Sequence, residues 1–149
     1  MSEKNSKQLV LEKILDRPAS QVLKEFGDGE ASPGSGSAAA LLSLLSARMI
    51  VTVCKISSEK DSCKDYKKEF KYIAEEVSIN LEEKLRVLFE KDAREFEKVV
   101  KLREKRNNTT EPTEKAKYTR EALDLLEKTT ENIFEIAEIS FDLVKYCHV

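Results

Sequence analysis

The chain has 149 residues, long enough for one domain with a real core, and 36% of them are charged while only seven are glycine or proline. Its 26 basic and 28 acidic residues nearly cancel, so no global charge favours nucleic acid or an anionic membrane surface. Three scattered cysteines, Cys54, Cys63 and Cys147, form no C-x-x-C pair, which excludes a disulfide framework and a structural zinc site.

The remaining composition, rich in Lys, Glu, Leu and Ala, points to an all-α protein. The polar start Met1-Ser2-Glu3-Lys4-Asn5 shows no secretory signal, and unpaired cysteines fit a reducing compartment, so a cytoplasmic location is expected. The pattern predicts a bundle of about five helices. The first covers Ser6 to Asp16, with Leu9, Val10, Ile14 and Leu15 at helical spacing, and Pro18 ends it. A short second helix follows, capped by Ser20, with Val22, Leu23 and Phe26 apolar and Gly27 as its stop.

The stretch from Ala31 to Ser58 organises the rest. At the chain's average density about five acidic residues would fall in it; it holds none, although Glu30 and Glu59 flank it. A turn, Ser32-Pro33-Gly34-Ser35-Gly36-Ser37, opens onto the run Ala38 to Cys54. This run is apolar or small on every side, so it is expected to be a buried central helix rather than a membrane span. The first N–H groups of a helix lack internal partners and its dipole attracts negative charge there. No carboxylate follows in this first turn. Either a serine caps the helix, or the turn receives a ligand oxygen or anion. Cys54 reads as a small core hydrophobe.

From about Ser62 to Arg106 no Gly or Pro appears, which predicts one very long helix with room for a kink. Its apolar stripe runs through Tyr66, Phe70, Ile73, Val77, Leu81, Leu85, Leu88, Phe96 and Val99. Asp92 sits in the middle of that stripe. A carboxylate on an apolar face must be paired or shifted in pKa. An ion pair with Arg48 or a nearby lysine and an active-site role are both open at this point. Asn107 to Pro112 breaks the helix, and a final helix follows with the stripe Ala116, Leu123, Leu126, Ile133, Ala137, Phe141 and Val144. The single histidine, His148, lies one residue from the end, a poor place for a catalytic base. There is no phosphate-binding loop and no dinucleotide-binding motif.

The turn Ser32-Pro33-Gly34-Ser35-Gly36-Ser37 ahead of an Ala-rich helix, and Lys91-Asp92-Ala93-Arg94-Glu95-Phe96 on the next long helix, together resemble the formiminotetrahydrofolate cyclodeaminase / methenyltetrahydrofolate cyclohydrolase family. Gly34, Gly36 and Ser37 match the family turn, with Ser35 in place of its middle glycine. Asp92 matches the family carboxylate and Phe96 the aromatic after it. Asn132 stands where the family usually has proline. The resemblance implies that residues 1–149 form a single cyclodeaminase-like helical domain, shorter at its C-terminus than the family pattern. It further implies a homodimer that binds a tetrahydrofolate derivative as substrate, with no bound cofactor, no metal, and neither nucleic acid nor membrane as partner. The implied chemistry is cyclodeamination of 5-formimino-tetrahydrofolate or hydrolysis of the methenyl bridge. Asp92 would be the catalytic residue, and Ser32, Pro33, Gly34, Ser35, Gly36, Ser37 and Arg48 would bind substrate. The alternatives are a non-catalytic homologue that binds folate or a protein partner, and a plain helical interaction protein.

Overall fold

A computed structural model describes residues 13–147; the expectations for Leu9, Val10 and His148 lie outside the described residues. All regular structure among the described residues is helical. A 3₁₀ turn, Ile14–Asp16, precedes α1 (Ala19–Glu25), and α2 spans Ser35–Ser58. A second 3₁₀ turn, Asp61–Tyr66, leads to α3 (Lys67–Glu76), which passes through a π-helical turn (Val77–Leu81) directly into α4 (Glu82–Asn108). The last helix, α5, spans Pro112–Lys145. Of the five helices expected, four rods are present: α1, α2, the α3–α4 run and α5. Within the first expected helix, the described part holds only the short 3₁₀ turn. The irregularity expected in the long helix falls at Val77–Leu81, where one turn widens without breaking the rod.

Local chemistry accounts for these limits. Glu111 is extended ahead of Pro112, as the residue before proline must be, and Pro112 opens α5, where its missing N–H costs nothing. In α2 the hydroxyls of Ser43, Ser46 and Thr52 donate to the carbonyls of Ala39, Leu42 and Arg48 four residues back. Polar side chains are thereby satisfied within an otherwise apolar helix.

α2 packs on α4 through small residues. Ala40 and Ala47 are fully buried, with Leu44, Val51 and Cys54 continuing the same face. The facing stripe on the α3–α4 run is the expected one at Ile73, Val77, Leu81, Leu85, Leu88 and Val99, joined by Phe89. Phe70 and Phe96 are half-buried and Tyr66 is exposed.

Two expectations fail. α2 is not buried on every side: Leu42, Leu45, Met49, Val53 and Ile56 are exposed, and only a third of its most apolar stretch is buried. By length and composition alone α2 is apolar enough to cross a bilayer. On α5 the buried stripe is Ala122, Thr129, Asn132, Ile136, Ile139 and Leu143, whereas Leu123, Ile133, Phe141 and Val144 from the expected stripe are exposed. Hydrophobicity alone ranks Phe141 above Asn132. The structure inverts that order because α4 offers Asn132 a hydrogen-bond partner, Glu95, at 2.7 Å.

Two outcomes test this packing. Leu85→Ala, at a site with no solvent exposure, should lower stability by about 2–5 kcal/mol in urea unfolding, and Val87→Ala, two residues on and more than half exposed, by under about 0.5 kcal/mol. Burial pushes the Cys54 thiol above its ordinary pKa, aided by Cys147. Less of it is thiolate at neutral pH, so a disulfide reagent should label exposed Cys147 within the native state and Cys54 only on unfolding.

Candidate functional site

The site begins with an uncapped helix. Gly34 is the N-cap of α2 and provides no side chain, and the first turn holds no acidic residue. Its donors and positive dipole end therefore need a negative group from elsewhere. Asp92, on α4, takes that place. The Ser37 hydroxyl donates to Asp92 Oδ2 at 2.7 Å, and both side chains are buried. The carboxylate also lies directly over Gly36: a Cβ there would come within 2.6–2.8 Å of both oxygens and their carbon. Only glycine permits this approach.

The rest of the turn is tied to the same point of α4. The Ser32 hydroxyl donates to the carbonyl of Ala93 at 2.7 Å, and Pro33 is buried beneath it. Ser32 and Ser37 thus clamp the loop onto consecutive residues of α4. Gly34 is half-buried and Ser35 exposed, without a side-chain hydrogen bond. The structure therefore brings the turn from Ser32 to Ser37 together with Asp92, about 60 residues away in the chain.

Arg48 is not part of this cluster. It lies three turns further along α2, where its guanidinium pairs with Glu82 at 2.9 Å. The ion pair considered between Arg48 and Asp92 is absent for the same reason. Glu82 is buried at the exit of the π turn and accepts from Arg86 as well, at 2.7 and 3.0 Å through the same oxygen. Its second oxygen is buried without a hydrogen bond. A third buried carboxylate, Glu90, accepts the Leu15 backbone N–H at 2.9 Å and lies 3.6 Å from Arg94. Sequence reasoning missed Glu82 and Glu90. Each is one acid among many on α4, and only the approach of Arg48 and Leu15 distinguishes them.

Two grooves flank these residues. One, of about 390 Å³, runs past Ser32 and Pro33 and is lined by Glu25, Asp28, Glu30 and Glu97 against Arg17. The other, of about 460 Å³, lies on the far side of α4, with Lys13, Arg86, Lys91, Arg94 and Lys98 among its lining residues. The turn is thus bordered by an anionic groove and the opposite face of α4 by a more cationic one. Asp92 lines neither. Among the described residues no three of His, Cys, Asp and Glu gather closely enough to hold a metal ion.

A double-mutant cycle tests the contact. Gly36→Ala should cost about 1–3 kcal/mol in the native background. In an Asp92→Ala background most of that penalty should vanish, since the clash partner is gone. Equal penalties in both backgrounds would show that the two residues are not in contact.

Neither curated proteins nor solved structures give a significant match to this chain. A model of the formiminotransferase-cyclodeaminase family matches residues 18–149, which takes in all four helical rods, the Ser32–Ser37 turn and Asp92. The chain belongs to the formiminotransferase-cyclodeaminase family.

Proposed function

We propose that this chain is a folate one-carbon enzyme, acting as a homodimer on 5-formimino-tetrahydrofolate or on its 5,10-methenyl product. The observation that carries this reading is the contact of Asp92 with the tip of α2 inside a chain of this family. In cyclodeamination N10 attacks the formimino carbon, a C–N bond forms, and the former imino nitrogen leaves as ammonia. The imino nitrogen takes two protons to leave as ammonia, one that N10 gives up and one from a general acid or solvent, and the product bridge is cationic. In the hydrolytic direction water adds to that cationic carbon and gives up its protons, one C–N bond of the bridge breaks, and the released nitrogen takes one of those protons while the other is lost to solvent. Both routes need a proton carrier and a negative group near a positive carbon.

Asp92 supplies such a group. It lies at the positive end of the α2 dipole and accepts from the Ser37 hydroxyl. In this reading Ser32, Pro33, Gly34, Ser35, Gly36 and Ser37 shape the wall against which the pteridine end rests. The tip of α2 already faces a carboxylate from its own chain, so it receives the cationic one-carbon end of the substrate rather than an anionic tail. Arg48, held by Glu82, lies too far along α2 to share that contact and would bind substrate only at a distance from the reacting carbon.

One observation favours a second reading, a non-catalytic homologue. Asp92 is only 4% exposed and its carboxylate is already engaged, as expected of a group that docks two helices.

The test is Asp92→Asn, assayed by the rise or decay of methenyl-tetrahydrofolate absorbance together with thermal melting. The enzyme reading expects turnover by the wild type, a loss of at least about 100-fold in kcat for the variant, and a melting temperature within a few degrees. A wild type that binds folate without turnover, with a variant that melts far lower, would establish the second reading instead.

A further inference from the structure

The larger of the two grooves, about 460 Å³, has no part in the chemistry assigned to Asp92, because it runs along the opposite face of α4. Spacing of three and four residues puts Val87, Glu90, Lys91, Arg94 and Lys98 on that face. Leu15, from the 3₁₀ turn, lines the groove as well, flanked by Lys13 and Asp16, whose charges offset one another. The two ends of the groove differ in sign. Toward the start of α4, Arg86 is taken by Glu82, which leaves Glu83 and the buried Glu90. Toward the other end come Lys91, Arg94 and Lys98, and the one acid among them, Glu95, is taken by Asn132. Lys91 and Lys98 are exposed and make no ion pair among the described residues. Glu90 is only 8% exposed. Its Oε1 accepts the Leu15 N–H, while its Oε2 is buried and accepts no hydrogen bond, with the Arg94 guanidinium 3.6 Å away. A bound N–H donor would therefore satisfy an acceptor that now has none, rather than replace an existing bond.

We propose that this groove binds a purine nucleotide, a guanosine monophosphate, at a site separate from the folate. The phosphate lies on Lys91, Arg94 and Lys98, and the N–H edge of the base lies on Glu90. A phosphate concentrates its charge on one small group, and three cations within two turns of helix, about 10 Å along the axis, suit such a group. Taking the phosphate draws Arg94 off Glu90 Oε2 and opens that oxygen to the base. The ring then lies against Leu15 and Val87, the two apolar side chains of the groove. Charge also selects the base. Carboxylates only accept, and guanine presents its ring N–H and exocyclic amino group side by side on one edge. Adenine sets ring lone pairs beside its amino group, and these would face Glu90 and Glu83. The folate reading and this site are independent, since Asp92 lines no part of the groove.

Calorimetry of the full chain tests this, with guanosine monophosphate, adenosine monophosphate and inorganic phosphate as probes. The guanine nucleotide should bind once per chain, at least about tenfold tighter than either of the others. Lys91→Glu combined with Lys98→Glu, both at exposed positions, should abolish that binding with an unchanged helical circular-dichroism spectrum and melting temperature. Glu90→Gln should bring the guanine nucleotide down to the affinity of inorganic phosphate and leave phosphate itself unaffected. Should that variant not fold, inosine monophosphate, which lacks the exocyclic amino group, reads the same contact on the wild type and should bind several-fold more weakly. A guanine nucleotide held no tighter than phosphate overturns the proposal, and so does binding that survives the double charge reversal. Folic acid, whose pteridine carries the same N–H edge, is the last probe. Displacement of the nucleotide by folic acid overturns a separate site and gives the groove to the substrate, whereas no displacement supports it. Failure of the folate reading shows itself apart from this, as absent turnover by a chain that still binds the nucleotide.

Discussion

The structure depends on one exchange between distant parts of the chain: α2 has a positive tip with no acid in its first turn, and α4 has a buried carboxylate with no ion pair among the described residues. Taking a carboxylate out of water costs several kcal/mol unless fixed partners replace the lost hydration. The Ser37 hydroxyl is such a partner, and the carboxylate lies against the first turn of α2 over Gly36. Each feature would be a defect alone, an uncapped helix on one side and a stranded charge on the other. Gly36 lets them meet, because any side chain at that point would occupy the position of the carboxylate.

That contact also sets the register of the bundle. Eleven residues further along α2, Arg48 meets Glu82, which lies ten residues back along α4. The two helices are therefore antiparallel and pinned at both ends, with Ala40, Leu44 and Ala47 facing Leu85 and Phe89 between the pins. Apolar packing between smooth Ala and Leu surfaces tolerates sliding; two buried carboxylates with specific donors do not. α4 repeats the device toward its other neighbours, through Glu90 to the backbone of Leu15 and through Glu95 to Asn132 on α5. Four acids on one helix thus dock three other parts of the chain.

The same device bears on chemistry. A carboxylate held rigidly suits the stabilisation of a positive carbon, because the protein does not have to reorganise as charge develops. Shielding is the counterpart, since the groove beside the turn reaches Ser32 and Pro33 but is not lined by Asp92. Substrate access to such a group depends on what borders the turn, and in the proposed assembly a second subunit adds to those borders.

Much was legible in the sequence, for definite reasons. An acid-free window, a glycine-serine turn and a lone aspartate in an apolar stripe mark the α2 tip and Asp92 because helical periodicity is local and a missing charge can be counted. The long helix without glycine or proline, and the break at Asn107 to Pro112, follow from backbone chemistry in the same way. Partner choice was not legible. Arg48 stands as close to the tip in sequence as many true neighbours, yet three helical turns carry it to Glu82. Hydrophobic ranking places Ile133, Phe141 and Val144 inside, whereas the chain buries Thr129, Asn132 and Ile136: Asn132 donates to Glu95 of α4, and Thr129 is satisfied by the Leu126 carbonyl of its own helix. The sequence by itself determined which segments are helices and where an unanswered charge sits, since both depend on near neighbours in the chain. Only the tertiary structure decided which stripe of each helix turns inward and which acid answers which donor, since both depend on surfaces brought together from distant parts of the chain.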